Sequence, residues 1–273
     1  MKLKKPRVIF IDIDGTLRTN NQKITKETKE AIRKTIENDI MVVLCTGRSA
    51  SETIPVMEEA GTSAVSISST GSFIFDLHKQ EIIWEQKLPA SVCKQLYLLT
   101  EKIEGRLVLA TGFDKVVTKI LHNDPLETLL SVPIDQYLTN HSVVQCLISS
   151  ACEQSLRSIE TDIEQLPEIR IVNRSKYLLN PTLPKPDRFY YDISSLVGNK
   201  GFGIQMFCRH FKIAPTDTVG IGDDYNDITM FETVGYAVAM ANAPFDVRKM
   251  ADEVTLSNEE NGVAHFLKRF WKE

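Results

Sequence analysis

Four clusters in this 273-residue sequence carry side chains that can do chemistry. The first is Phe10-Ile11-Asp12-Ile13-Asp14-Gly15-Thr16-Leu17. Read as the end of an apolar strand over residues 7–13, it sends alternate residues, Asp12 and Asp14, toward one side. Two close carboxylates repel each other, and a divalent cation relieves that repulsion. Gly15 then permits a sharp exit from the strand. An acidic turn closing a strand has similar letters for structural reasons alone. A calcium-binding loop is excluded, because its glycine would fall at Leu17.

The second cluster, Cys45-Thr46-Gly47-Arg48, closes another apolar run just before a helix. A hydroxyl at Thr46 and a backbone N–H at Gly47 suit phosphate oxygens there, and a plain strand-to-helix turn is the alternative. The third, Asn199-Lys200-Gly201, offers a lysine at the start of a helix. It could neutralise a phosphate and the charge that develops in phosphoryl transfer, or simply be solvated. The fourth is Gly222-Asp223-Asp224-Tyr225-Asn226-Asp227. Asp and Asn are favoured as helix caps and suit the positive end of the helix dipole. Four acidic or amide groups in the five positions 223–227 exceed what a cap needs.

The elements that must hold these clusters follow from hydrophobic periodicity. Residues 7–13, 41–45 and 64–68 read as buried strands, alternating with helices over 26–37, capped by Thr25, and within 51–60. Ser49 and Glu52 have capping-box spacing, while Pro55 suggests a later start or a kink in the second helix. The pattern resumes with a helix over 201–211, a strand over 218–221 and a helix over 226–233. A strand at 236–240, a helix at 244–250, a strand at 253–256 and a helix at 262–271 complete it. Strand–helix alternation of this kind predicts an α/β fold with a Rossmann-like parallel-sheet core. Ligands of such sheets bind outside the carboxyl ends of the strands, where three of the four clusters fall.

The middle reads differently. Helices are expected over 91–104 and 153–166, strands over 106–111, 115–121, 143–149 and 169–173, and a proline-rich loop over 180–188. Two hairpin-like strand pairs beside two helices suggest an inserted α+β cap domain over 85–193, with 1–84 and 194–273 forming the core. A net charge of −4 is the wrong sign for a protein whose main partner is a nucleic-acid backbone. The five cysteines are scattered with no Cys-x-x-Cys pair, as expected of buried thiols in a reducing compartment. No stretch approaches the ~20 apolar residues that cross a bilayer. The basic start lacks the apolar core of a signal peptide, so the expectation is a cytoplasmic protein with no membrane partner.

The series Asp12-Ile13-Asp14-Gly15-Thr16, Thr46, Lys200 and Gly222-Asp223 with Asn226-Asp227 resembles the four motifs of the haloacid dehalogenase superfamily. More narrowly, order, spacing and the inserted middle resemble the Cof-type phosphatases of subclass IIB across almost the whole chain, Thr46-Gly47-Arg48 included. The resemblance implies a phosphatase acting on a small phosphorylated metabolite, a sugar phosphate or similar, with Mg2+ as cofactor. Asp12 is then the nucleophile that forms an aspartyl phosphate, and Asp14 the acid and base. Thr46, Gly47, Lys200 and Asn226 contact the phosphate, Lys200 also serving catalysis. The metal set is Asp12, Asp14 through its backbone carbonyl, and Asp223, with Asp227 in support. The cap is implied to close over the site and meet the organic part of the substrate. His122, Asn123, Lys185 and Arg188 in the middle region are polar and could meet it, or simply face solvent as most such residues do. Relatives often carry Asn-Gly-Ala after the third strand, where this chain has Thr70-Gly71-Ser72.

Two rivals share these letters. A phosphomutase uses the same aspartyl phosphate but returns the group to its substrate. A metabolite-binding protein on a retired site predicts loss of a catalytic carboxylate, yet Asp12, Asp14 and Asp223 are all present. Dehalogenation has no use for a second acid at Asp14 or a metal ligand at Asp223. The motifs name neither a single substrate nor an oligomeric state.

Overall fold

Val8–Ile11 is apolar at every position and fully buried, a pattern suited to a strand covered on both faces. The computed structural model describes residues 4–120, 128–174 and 188–271, and this run is its β1. The strands that follow are β2 (Met41–Cys45), β3 (Val65–Ser68), β4 (Phe73–Asp76) and β5 (Glu81–Glu85). Next come β6 (Gly105–Ala110), β7 (Lys115–Val117), β8 (Thr128–Leu129), β9 (Gln145–Ser150), β10 (Ile169–Arg174) and β11 (Phe189–Ser195). The last are β12 (Thr218–Gly222), β13 (Tyr236–Ala239) and β14 (Glu253–Val254). The helices used below are α1 (Lys26–Glu37), α2 (Ala50–Ala60), α3 (Ala90–Thr100), α4 (Ile134–Asn140), α5 (Glu153–Ser158), α6 (Glu160–Glu164), α7 (Lys200–Phe211) and α8 (Ile228–Phe231).

The chain divides into two compact units, Met1–Trp84 with Asn199–Glu273, and Glu85–Gly198. The first holds a sheet of order β14-β13-β12-β1-β2-β3-β4-β5, parallel from β14 to β3 and antiparallel between β3 and β4. β1 lies between β2 and β12, so the chain winds outward through β2 and β3 and returns on the other side of β1. That reversal is the point at which α/β sheets open a crevice at the carboxyl ends of their strands. Alternate residues of β1 enter opposite layers. Ile9 and Ile11 join the layer that contains Ala31 and Ile32 of α1, while Val8 and Phe10 join the one that contains Ile204 and Phe207 of α7. Phe10 meets Phe207 edge-on at 5.2 Å between ring centroids, fixing α7 beneath the strand that carries Asp12.

Several sequence expectations need correction. β1 ends at Ile11, two positions before the strand expected over 7–13. The period-2 argument that aimed Asp12 and Asp14 the same way therefore fails beyond Ile11. α2 runs uninterrupted through Pro55, whose missing N–H leaves the carbonyl of exposed Ser51 without a helical partner; Ser49 and Glu52 form the capping box. The helix expected over 226–233 is a 3-10 turn, Tyr225–Asp227, followed by the short α8.

Glu85–Gly198 holds a six-stranded sheet of order β10-β11-β9-β6-β7-β8, antiparallel except for β7–β8. One apolar cluster combines Leu96 of α3, Tyr137 of α4, Leu156 of α5 and Ile163 of α6 with Leu107, Leu109 and Ile148 of the strands. The sequence had suggested four strands. β11 was hidden because Asp192, Ser194 and Ser195 interrupt its apolar run; it pairs with β9 and β10, so the unit runs to Gly198 rather than residue 193. The single helix expected over 153–166 is broken at buried Ile159 (φ −105°), and α4 is too short to show a period. Of the polar candidates in this region, His122, Asn123 and Lys185 lie outside the described residues and Arg188 is half-buried. No disulfide joins the five cysteines, of which Cys152 alone is exposed. No described helix is long and apolar enough to cross a membrane.

Candidate active site

The carboxyl end of β1 delivers Asp12, whose N–H continues the ladder by donating to the Ile221 carbonyl of β12 at 3.0 Å. The parallel neighbour β12 delivers Asp223 one residue beyond its own end. Their carboxylates and that of Asp227 lie within 4.8 Å of one another, all three buried. Lys200, the first residue of α7, is completely buried and sends its Nζ to Asp12 Oδ1 at 2.6 Å and Asp227 Oδ1 at 2.5 Å. Burial alone would push this ammonium's pKa down, but the flanking Asp12 and Asp227 carboxylates overcome it and hold the pKa above the ordinary lysine value. Burial pushes Asp12 up and Lys200 opposes it, while Asp227 and Asp223 add to the upward push.

Each carboxylate is fixed for a separate reason. Asp227 Oδ1 accepts from Lys200, and Oδ2 accepts from the backbone N–H groups of Asp223 and Asp224, both at 2.9 Å. It is a brace with both oxygens committed. Asp223 Oδ1 accepts from the Thr16 hydroxyl at 2.9 Å. Gly15, at φ +83°, lies so close that a Cβ there would stand 2.3 Å from Asp223 Oδ2. Asp12 Oδ2 receives no hydrogen bond from the described residues. The acidic N-cap is Asp224, whose side chain accepts from the Tyr225 N–H, which leaves Asp223 to the cluster.

The cluster fits a divalent cation on its charge and its donors. Three buried carboxylates less one ammonium leave a net −2 in a desolvated space, which two positive charges neutralise. All-oxygen donors suit a hard ion such as magnesium. Asn226 Oδ1 is buried beside the cluster with no hydrogen-bond partner, an acceptor that a metal-bound water would satisfy.

Asp14 lies elsewhere. Its carboxylate is outside the buried cluster and is gripped by Arg48, with Nε on Oδ2 at 2.7 Å and Nη2 on Oδ1 at 2.5 Å. Asp227 takes the place in the carboxylate cluster that the paired-strand argument had given to Asp14. Thr46 is buried at the end of β2, and its Oγ1 accepts from the Arg48 N–H at 3.3 Å. Gly47 is half-buried in the same turn.

One element of the site stood out in the sequence only as a departure, Thr70-Gly71-Ser72 where relatives often carry Asn-Gly-Ala, with no role assigned to it. After β3, Ser69 (φ 48°), Thr70 (φ 53°) and Gly71 (φ 90°) are all left-handed and buried, a costly run for two residues with side chains. The Ser69 N–H bonds the Arg48 carbonyl at 2.7 Å and the Thr70 N–H bonds the Thr46 carbonyl at 3.0 Å, so the turn clamps the second cluster. On its other side a Cβ on Gly71 would sit 2.0 Å from the Asn199 carbonyl oxygen and 2.9 Å from Lys200 N. The Thr-Gly pair after the third strand was its only sequence signal. Gly71→Ala is expected to lower unfolding free energy by roughly 2–5 kcal/mol, from a disfavoured φ and a backbone clash together. Urea denaturation checks this; an unchanged midpoint would show that the turn tolerates a side chain.

A model of the haloacid dehalogenase-like hydrolase family matches residues 9–267. The phosphatase YwpJ of Bacillus subtilis is 27% identical over 291 residues, covering 96% of this chain and 99% of its own. From the same organism, the 5-amino-6-(5-phospho-D-ribitylamino)uracil phosphatase YitU is 26% identical over 277 residues, covering 98% of each. Among solved structures, TM0651 from Thermotoga maritima superposes with a TM-score of 0.80 at 21% identity, covering 98% of each chain.

Proposed function

This chain belongs to the haloacid dehalogenase-like hydrolases, and on that footing we propose that it is a magnesium-dependent phosphatase of small phosphorylated metabolites, working through a phosphate carried on Asp12. The observation that carries the reading is buried Lys200 joining Asp12 to Asp227, with Asp223 in the same carboxylate cluster. No packing demand explains a lysine and three acids buried together at the strand ends of an α/β sheet.

Asp12 attacks phosphorus, and the bond from phosphorus to the ester oxygen breaks. Asp14 gives the departing alkoxide its proton, then takes one from the water that cleaves the acyl phosphate. Thr46 Oγ1, the Gly47 N–H, Asn226 and the Lys200 ammonium hold the phosphoryl oxygens, and Asp227 keeps Lys200 aimed at Asp12. Magnesium, held by Asp12, Asp223 and the Asp14 backbone carbonyl, supplies positive charge against the phosphoryl oxygens. The unit Glu85–Gly198 serves as the cap in this reading and selects the organic part of a sugar phosphate or a similar ester. Two full-length relatives named as phosphatases, one of them for a phosphorylated ribityl compound, support that substrate class.

The test is phosphate release from a panel of phosphorylated metabolites with magnesium and after chelation. Free phosphate is expected from at least one sugar phosphate, falling at least ~100-fold on chelation and returning with added magnesium, because the uncompensated −2 cluster repels the substrate. Hydrolysis indifferent to chelation would contradict the metal. An isomerised ester without free phosphate would point to a mutase.

A further inference from the structure

Arg48 has no part in the reaction as described, yet it is the best-anchored cation near the site after Lys200. Its backbone is pinned on both sides, the N–H on Thr46 Oγ1 and the carbonyl on the Ser69 N–H. Its guanidinium reaches from the turn after β2 to the loop after β1 and takes both oxygens of Asp14, with a third bond to Gln22 Oε1 at 3.3 Å. Asp14 is half exposed, at 49% for its side chain, and Arg48 is its hydrogen-bonding side chain among the described residues. A carboxylate so placed rotates freely unless something sets its plane. A planar fork with two parallel N–H groups sets orientation as well as distance, which a point charge does not.

We propose that Arg48 is a positioning residue for Asp14: it holds the carboxyl in one plane at the rim and out of the buried Asp12–Asp223–Asp227 cluster, reserving it for proton transfer. A mobile Asp14 would be drawn toward any cation in that cluster and lost as a proton donor. The inference rests on the role given to Asp14 above. It concerns where the carboxyl points, since Arg48 is charged throughout.

The discriminating quantity is kcat/KM, which reports steps up to loss of the alcohol, for two substrates on one preparation. An alkyl phosphate needs a proton on its leaving oxygen and p-nitrophenyl phosphate does not. Arg48→Ala is expected to lower kcat/KM for the alkyl ester by roughly 10–100-fold, part of the 10²–10⁴ that general acid catalysis contributes, and that for the aryl ester less than about 3-fold. Arg48→Lys, with a point charge in place of a fork, should fall between. The ratio of the two values is independent of how much protein is folded. Equal losses on both esters would assign Arg48 to phosphate binding or to structure, and no loss on either would remove its role; both overturn the proposal. Asp14→Asn in the same assay separates the premises. A selective alkyl loss in Asp14→Asn without one in Arg48→Ala overturns the positioning alone. An unselective Asp14→Asn removes the proton-transfer role, and the proposal with it.

Discussion

Asp12→Asn is expected to lower kcat by at least roughly 10³-fold while the chain stays folded, as loss of a nucleophile does elsewhere. The amide is nearly isosteric with the carboxyl of a side chain that is 8% exposed, so packing at the end of β1 survives. Its carbonyl still accepts from Lys200, replacing the contact made at 2.6 Å. What would disappear, on the proposed mechanism, is the charge that attacks phosphorus, and with it half of the net −2 that fits a divalent cation. Magnesium dependence should therefore shift to higher concentration in the residual activity. Steady-state phosphate release checks the loss, with mass spectrometry to exclude deamidation back to aspartate. A variant that turns over like the wild type would eliminate Asp12 as nucleophile.

Lys200→Met is expected to lose activity and stability together. Lys200 is wholly buried between Asp12 and Asp227, and removing one member of a buried ionic group leaves uncompensated charge that costs about 3–5 kcal/mol. On the proposed mechanism the loss of a cation directed at the transferring phosphoryl group should lower kcat by roughly 10²–10³ as well. The pH dependence of the stability loss has a definite sign. Asp12 already sits above the ordinary carboxylate range through burial, with Lys200 as the opposing influence, so its folded pKa rises further without the lysine. A group whose folded pKa is raised binds its proton more tightly when folded, which favours the folded chain below that pKa. The deficit of Lys200→Met should therefore be smallest at acidic pH and grow as pH rises from the folded pKa of Asp12 in the wild type through its higher value in the variant. Urea unfolding of wild type and variant across pH, without metal, measures it. A deficit that grew on acidification would contradict the charge argument.

The letters at strand ends were legible because Asp12, Thr46, Lys200, Asp223 and Asp227 adjoin apolar runs or helix starts whose periodicity is strong. The parallel register of β1 with β2 and β12 then brings residues 12, 46 and 223 to one edge of the sheet, as strand order alone requires. Asp14 was misplaced because its aim depends on where β1 stops and on a guanidinium 34 residues away, neither of which a local pattern records. The Ser69-Thr70-Gly71 turn was opaque for another reason. Its left-handed backbone is held by bonds to Thr46 and Arg48 and by contact with Asn199, so tertiary structure overrides what Ser and Thr prefer. β11 was missed because strand propensity is judged on a run, and Asp192 breaks the run while Gln145 Nε2 satisfies its carboxylate at 2.6 Å in the folded unit.

Covalent capture addresses the central claim most directly. A phosphorylated metabolite found by the panel to be hydrolysed is mixed with the enzyme in the presence of magnesium and quenched in acid within one turnover. The peptide spanning Asp12 is then weighed before and after hydroxylamine. A phosphate carried on Asp12, formed at the rate of alcohol release and removed by hydroxylamine, is the predicted result. First-turnover release of alcohol and inorganic phosphate in step, with no phosphate on that peptide at any time or with the phosphate on another residue, would contradict it.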